Sequence, residues 1–217
     1  GNDCDDCAGT PDGTADFDDC DVCGGDGTTC LASISLGAFD ASGNLEILYD
    51  FGSAVAGFQF NISGLELTGA SGGAAGDAGL TVSSSANSGN VIGFSFTGAT
   101  VAAGSGVLTN LSFSDVNEGS TELTLGTGAV SDASGTELVA TVSGSIDHGT
   151  PDCSGDYYGT NWVSDCGCVA VDNDGNDCDD CAGTPDGTNW VSDCGCVAAD
   201  NDGNDCDDCA GTPDGTN

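Results

Sequence analysis

The stretch Phe58-Gln59-Phe60-Asn61-Ile62 alternates apolar and polar side chains, residue by residue. Such alternation places one face of a β-strand in a core and the other face in water. Four further stretches of this kind surround it, so the middle of the chain is predicted to be all-β. They are Ile34-Ser35-Leu36, Leu45-Glu46-Ile47, Phe94-Ser95-Phe96 and Leu123-Thr124-Leu125.

Clusters of Gly, Ser and Asn separate these strands at intervals of about ten residues, which is typical of a β-sandwich. We predict a jelly-roll-like sandwich of about eight or nine strands over residues 31–148, long enough to bury a core without disulfides. The turn clusters are Ala41-Ser42-Gly43-Asn44, Ser71-Gly72-Gly73, Asn87-Ser88-Gly89-Asn90 and Ser134-Gly135.

The charge of the chain is extreme. Its 217 residues include 36 Asp and Glu, one His and no Lys or Arg, for a net charge of -36. This charge opposes compaction, and hard divalent cations with oxygen ligands are the expected remedy. Nucleic acid and anionic membrane surfaces are excluded as partners because both require a basic patch. Membrane insertion is not expected either, because no apolar run approaches the roughly 18 residues of a membrane span.

The 14 cysteines divide the chain into three segments, because all of them lie in residues 1–30 and 149–217. We predict a Cys/Asp-rich segment at residues 1–30, the sandwich at 31–148, and Cys/Asp-rich repeats at 149–217. The flanking segments have too few apolar residues for a core, so covalent and metal cross-links must replace one. The absence of Met predicts a processed chain or part of a longer one.

The carboxyl-terminal segment is a tandem repeat. Gly159–Asp186 is repeated by Gly187–Asp214 with a single change, Val171 to Ala199, and Gly1–Thr14 is identical to Gly203–Thr216. Such self-similarity indicates a quasi-linear array in which each repeat contacts mainly its neighbours. We therefore expect self-association, as a head-to-tail fibre or within a longer tandem polypeptide.

The cysteine spacing allows two interpretations. Cys4-x2-Cys7 and Cys20-x2-Cys23 are typical of zinc knuckles, but adjacent Asp residues oppose the thiolate form, and a secreted chain favours disulfides. If each cysteine pairs with its next free neighbour, two loop sizes recur, and Cys4 and Cys209 remain for links to adjoining units. The predicted pairs are Cys7–Cys20, Cys23–Cys30, Cys153–Cys166, Cys168–Cys178, Cys181–Cys194 and Cys196–Cys206.

The acidic stretch Asp172–Asp180 places oxygen ligands on alternate residues around Gly175. It resembles thrombospondin type 3 repeats and, more loosely, dockerin loops, although Ala170 replaces the first Asp of the Asp-x-Asp-x-Asp-Gly pattern. The resemblance implies calcium as the cofactor; a solvated acidic linker is the alternative. The candidate metal ligands are Asp172, Asp174, Asn176, Asp177, Asp179, Asp180, Asp200, Asp202, Asn204, Asp205, Asp207, Asp208, Asp3, Asp5 and Asp6.

The middle segment resembles cohesin-type β-sandwiches at Val55–Ile62 and Ala103–Phe113. This resemblance implies a binding or assembly module. The stretch Asp21–Gly27 in turn resembles Cys-Gly-Asp-rich spacers of large secreted proteins from marine microbes.

The single histidine, two glycosylation sequons and four aromatic residues are further candidates for a functional role. We expect His148 to be an exposed boundary residue, and without a nucleophile constellation the chain is not expected to be an enzyme. Asn61 and Asn110 begin N-glycosylation sequons. Four aromatic residues either cover cystines or stack on a glycan partner, namely Trp162, Trp190, Tyr157 and Tyr158.

These features together predict a secreted, extracellular or cell-surface structural protein. Calcium-binding, disulfide-bonded spacers would join β-sandwich beads head to tail in a fibre, stalk or surface matrix. The alternative is a binding module for a dockerin-like or glycan ligand, displayed on the same spacer.

Overall fold

The computed structural model describes residues 5–18, 20–126 and 129–216. Two compact units make up the chain, Gly1–Thr150 and Pro151–Asn217. The first unit contains the amino-terminal cysteine segment together with the β-sandwich. Within the described ranges, no helix is long and apolar enough to cross a membrane.

The sandwich has two sheets and, as predicted, is built almost entirely of β-strands, with one helix of five residues. One has the strand order β10-β1-β2-β7-β4, and the other has the order β11-β8-β3-β6-β5 with β9 also paired to β3. The elements are β1 (Leu31–Asp40), β2 (Asn44–Phe51), β3 (Val55–Ile62), β4 (Leu65–Ser71), α1 (Gly73–Asp77), β5 (Thr81–Ser84), β6 (Asn90–Phe94), β7 (Gly104–Val116), β8 (Ser120–Thr124), β9 (Val130–Asp132), β10 (Val139–Ser143) and β11 (Ser145–Asp147).

The described part of the sandwich has eleven strands, more than the eight or nine expected. The additional strands are short: β9 and β11 have three residues each and β10 has five. Strands of this length contain too few alternations to stand out from the surrounding Ser, Gly and Asp residues. β10 pairs in parallel with β1, from Leu31↔Val139 to Ser35↔Ser143.

The central stretch behaves as its alternation predicts. Phe58, Phe60 and Ile62 are 3%, 1% and 2% exposed, whereas Gln59 between the two Phe residues is exposed. Side chains from both sheets complete the core, because inward positions largely alternate with outward ones along strands such as β2, β3 and β4. The largest fully buried ones include Phe51, Ile34, Leu45, Ile47, Leu67, Leu108 and Leu111.

One predicted strand ends earlier than expected. The Phe94-Ser95-Phe96 stretch was predicted to be a strand, but β6 ends at Phe94 and the chain leaves the sheet there. The Ser95 hydroxyl accepts the N–H groups of Thr97 and Ala99 at 3.2 and 2.9 Å. This local turn removes two backbone donors from any strand ladder, so the chain bends away from the sheet.

The second unit has little regular structure apart from two hairpins, one in each repeat. β12 (Trp162–Ser164) pairs with β13 (Gly167–Val169), and β14 (Trp190–Ser192) pairs with β15 (Gly195–Val197). The two hairpins have the same register, as the sequence repeat requires. Disulfides and side-chain hydrogen bonds organise the remaining residues of this unit.

Candidate metal centre

Six disulfides form between the twelve cysteines that were expected to pair, but the neighbour pairing is wrong. Each group of four cysteines is interlaced, so that the first bonds the third and the second bonds the fourth. The bonds are Cys7–Cys23, Cys20–Cys30, Cys153–Cys168, Cys166–Cys178, Cys181–Cys196 and Cys194–Cys206. This many disulfides indicates an oxidising, extracellular environment.

The hairpin explains the interlacing. Cys166 lies in the β12–β13 turn and Cys168 lies on β13, so the two sulfurs leave the hairpin towards different parts of the chain. Cys168 bonds back to Cys153, and Cys166 bonds forward to Cys178 in the acidic loop. The N–H of Cys178 also points at the sulfur of Cys166, 3.2 Å away. Spacing along the chain does not record these directions, which is why neighbour pairing fails.

A loop anchored by one aspartate recurs through both cysteine-rich segments. The Asp180 carboxylate accepts N–H groups from Ala182, Thr184 and Asn189 at 2.9, 3.1 and 3.1 Å. A β-carbon on Gly187 would lie 2.1 Å from Asp180 Oδ2, so this position requires glycine. The same carboxylate-to-backbone pattern occurs at Asp6, Asp18, Asp152 and, with two of the donors, Asp208.

These hydrogen bonds shift the pKa of the anchoring carboxyls. Backbone donors from Thr10 and Ala15 lower the pKa of Asp6. Partial desolvation opposes the shift at Asp180, but its three backbone donors lower its pKa overall. Asp6, Asp180 and Asp208 were candidate metal ligands; the structure engages their oxygens in building the loops.

The acidic loop Asp172–Asp180 closes on itself around Gly175. The side-chain Oδ1 of Asn173 accepts the N–H of Gly175 at 2.7 Å, and the side-chain Nδ2 of Asn173 donates to Asp177 Oδ2 at 2.7 Å. Asp174 Oδ1 accepts the N–H of Asn176 at 3.2 Å. The second repeat has the same three hydrogen bonds at Asn201, Asp205 and Asp202.

Asp179 lies among other carboxylates of the first repeat. Desolvation raises the pKa of its carboxyl, and the neighbouring carboxylates of Asp165, Asp180 and Asp174 raise it further. Asp165 was not among the candidate ligands, because it lies in the hairpin turn, seven residues before Asp172, where the acidic loop begins. The Cys166–Cys178 disulfide joins the residue after Asp165 to the residue before Asp179.

Two groups of atoms among the described residues lie close enough together to hold a metal ion. In each, two Cys sulfurs and one carboxylate oxygen lie within 4.8 Å of one another: Cys166, Cys178 and Asp179, and then Cys194, Cys206 and Asp207. The sulfurs in each group form a disulfide and therefore supply no thiolate, which is the form that binds zinc. In each group a single carboxylate oxygen remains as the charged donor, and an oxygen donor of this kind suits a hard cation.

The other candidate ligands are less closely assembled. Asp172, Asn176 and Asp200 are exposed on the surface of their loops. Asp5 forms an isolated bridge with Pro11. Asp3 lies outside the described residues, as does Cys4; Cys209, the other cysteine expected to link units, is exposed.

The histidine prediction is wrong. His148 is only 6% exposed, and its Nε2 atom lies 2.8 Å from the Thr121 hydroxyl oxygen. It follows β11 directly, and its ring packs against Phe39 with a centroid distance of 5.0 Å. In the sequence, His148 lies at the boundary between two segments, and this position did not indicate that residues of both sheets would cover its ring.

The two sequons differ in their surroundings. The Asn61 side-chain amide, the atom to which a glycan would attach, donates to the Ser88 carbonyl and to Asn90 Oδ1. Asn110 lies on β7, opposite Glu46 of β2 and Ser71 of β4. Both asparagines are half-buried. Glycosylation of Asn61 would have to break these two contacts.

The tryptophans contact the acidic loops. A β-carbon on Gly203 would lie 2.6 Å from the Trp190 indole, so in the second repeat the ring covers this glycine. Trp162 covers the equivalent glycine of the first repeat. Trp162 is 40% exposed and Trp190 is 42% exposed, so part of each side chain remains accessible to a ligand.

An apolar patch lies on the outer face of the β5-β6-β3 sheet. Ile92 is 43% exposed, and Phe96 beyond the end of β6 is 89% exposed. Phe94 and Phe96 meet edge to face at 5.0 Å. The outward positions paired with Ile92 and Phe94 are Gln59, Gly57, Ser83 and Thr81, none of which is charged.

Comparison with known proteins found similarity among solved structures alone. No family model and no curated protein matches the chain. Among solved structures, the chain is similar to a non-cellulosomal cohesin from the hyperthermophilic archaeon Archaeoglobus fulgidus. The two share 19% identity with a TM-score of 0.39, over 54% of this chain and 90% of that one.

Proposed function

We propose that the chain is a structural component of an extracellular fibre, stalk or surface matrix. In this proposal the sandwich is a bead, and the cysteine-rich repeats are calcium-loaded spacers that join such beads head to tail. The recurrence of one interlaced disulfide scheme in three segments supports a spacer role. A chain without a large core in these segments gains its order from covalent and ionic links.

The observation that carries the calcium proposal is the carboxylate group around Asp179. The negative charges of Asp165, Asp174 and Asp180 raise the pKa of Asp179. The chain has no Lys or Arg to offset these charges. Clustered carboxylates repel one another strongly unless a cation lies between them. A calcium ion accepts six to eight oxygen ligands in flexible geometry, so it suits a group drawn from a loop and a hairpin turn.

Calorimetry on the full chain with its disulfides intact tests the calcium site. We expect saturable binding heat in the unmodified protein and a large loss in the double variant Asp179→Asn/Asp207→Asn. The matched control is Asp186→Asn/Asp214→Asn, which removes the same charge. Those two residues have positive φ angles of 50° and 52°, which Asn tolerates.

Three results would contradict the proposal. They are the absence of saturable heat, an equal loss of heat in both double variants, and stoichiometric zinc released by acid. The fibre itself is tested separately by electron micrographs of native material. These should show thin filaments with a regular axial repeat; monodisperse single particles would argue against assembly.

A second candidate function is a binding module, favoured by the patch of Ile92, Phe94 and Phe96. Exposed aromatic residues on an uncharged sheet face are unusual in so acidic a chain and are typical of interaction sites. Two kinds of ligand are open to test, a dockerin-like protein and a glycan. The variant Phe96→Ser should weaken capture of the ligand, whereas Val163→Ser, at an exposed apolar residue of the second unit, should not.

A further inference from the structure

His148 joins the two sheets at the carboxyl end of the sandwich. Its ring packs on Phe39 of β1, which stacks on Phe113 of β7 at 5.4 Å. On the opposite side, His148 Nε2 bonds to the hydroxyl of Thr121 on β8, a side chain that is fully buried. One imidazole therefore contacts both layers at the point where the chain leaves the sandwich.

The strand before this histidine is held weakly. β11 has three residues and, within the part of the chain that the structure describes, pairs with β8 alone, through Ser145↔Glu122, Ile146↔Thr121 and Asp147↔Ser120. The backbone N–H of His148 extends this ladder by one hydrogen bond, to the Gly119 carbonyl at 2.9 Å. Backbone pairing alone stabilises an edge strand of three residues only slightly. Burial of the His148 ring therefore contributes a large share of the free energy that holds β11 in place.

We propose that His148 is an acid-sensitive latch, which holds β11 against β8 while its ring is neutral and releases the strand when the ring is protonated. The reason is the cost of burying an ion. A neutral imidazole suits a site made of an aromatic ring and a hydroxyl, whereas an imidazolium loses most of its hydration there. Opening of β11 returns the charged ring to water.

The charges around the ring agree with this assignment. Burial lowers the pKa of His148, and the carboxylate of Asp147, on the same strand, opposes the shift without overcoming it. From other elements, β1 presents Phe39 and β8 presents Thr121 to the ring, and both of these side chains are uncharged.

The direction of the pH dependence follows. In the open state the ring titrates near its usual value of 6.5, and in the closed state it titrates below that value. Above pH 6.5 the latch has its full strength. As the pH falls below 6.5, the ratio of open to closed forms should rise by up to about tenfold per pH unit, until the closed-state pKa is reached.

The full chain offers a clean test because it has a single histidine. The imidazole resonances in an NMR titration should report a midpoint below 6.5. Over the same range, the protection factors of the amides of β11 and His148, which correct the observed exchange rates for the intrinsic effect of pH, should fall, while those in β3 stay constant. A midpoint at or above 6.5, or unchanged protection factors in β11, would overturn the proposal.

A double variant separates the latch from general acid sensitivity. His148→Phe/Thr121→Val fills the same space and leaves no buried hydroxyl without its partner. The protection factors of the β11 amides in this variant should not depend on pH between 7 and 5. If acid still releases β11 in the double variant, another group is responsible and the proposal fails.

Discussion

The Trp162 indole lies directly over Gly175, so that a β-carbon on Gly175 would stand 2.8 Å from the indole Cη2 atom. The same β-carbon would lie 2.9 Å from the β-carbon of Ser164. Through this contact the β12–β13 hairpin and the acidic loop hold each other in position. The carboxylates of Asp165 and Asp174, one from each segment, can then act on Asp179 together.

Replacement of this glycine should therefore separate the two segments. Gly175→Ala meets the indole and a positive φ of 82°, whereas Gly183→Ala meets a similar φ of 74° with open space around it. We expect Gly175→Ala to cost about 1–3 kcal/mol more than Gly183→Ala, the usual range for overpacking. Guanidinium unfolding followed by tryptophan fluorescence, with disulfides intact, measures the difference. Equal losses in the two variants would show that the indole contact does not matter.

The disulfide scheme predicts which cysteine pairs can be removed together. Cys153→Ser/Cys168→Ser deletes one bond and should leave the other five closed. Cys153→Ser/Cys166→Ser removes one partner from each of two bonds, so Cys168 and Cys178 should appear as two extra thiols in a titration with Ellman's reagent. Two extra thiols in Cys153→Ser/Cys168→Ser and none in Cys153→Ser/Cys166→Ser would support neighbour pairing. Loss of a native disulfide should also cost about 2–5 kcal/mol of stability.

Acid should weaken the Asp152 loop only at very low pH. The Ser154 hydroxyl, and after it backbone donors such as the Asn161 N–H, lower the pKa of Asp152 from 3.8 to about 2 against partial desolvation. The carboxylate thus stabilises the loop fully above pH 3.8, and this contribution is lost as the pH falls towards 2. Ser154→Ala should raise the Asp152 pKa but leave it below 3.8, because Asp180 is lowered with Ala182 at the equivalent position. Carboxyl carbon NMR titrations measure both values, and an unchanged pKa in the variant would contradict the assignment.

Removal of calcium should affect the repeats and spare the sandwich. The repeats combine clustered carboxylates with very little buried apolar surface, whereas the sandwich has an extensive core. With a chelator present, hydrogen exchange in residues 151–216 should accelerate, while β2, β3 and β7 keep their protection. Mass spectrometry of peptic fragments measures this, since the chain has no tryptic sites. Identical exchange with and without chelator would argue against calcium in the repeats.

The long strands could be predicted from the sequence because each carries its own signal. Phe58, Phe60 and Ile62 are buried on one face, and no distant residue is needed to explain why. β9, β10 and β11 could not be predicted, because strands of three to five residues are defined by their partners. Phe96 was assigned to a strand for the opposite reason: its alternation is present, but the Ser95 hydroxyl captures the local backbone.

The candidate site was predictable in composition but not in assembly. The acidic loops are visible in the sequence, whereas the contribution of Asp165 depends on the hairpin and on the Cys166–Cys178 bond. Asp180 was predicted as a metal ligand, but its carboxylate oxygens accept backbone N–H groups of the loop that it anchors. The burial of His148 likewise depends on Phe39 and Thr121, which lie far from it in the chain.

The interlaced pairing also determines what happens when the backbone is cut. In residues 181–206, the ring closed by Cys181–Cys196 overlaps the ring closed by Cys194–Cys206, so every peptide bond of this stretch lies inside at least one ring. A single cut anywhere in it leaves the two fragments joined. Under neighbour pairing, a cut beside Gly195 would have separated them. The same overlap protects residues 7–30 and 153–178, so a protease that nicks one of these segments does not sever the chain.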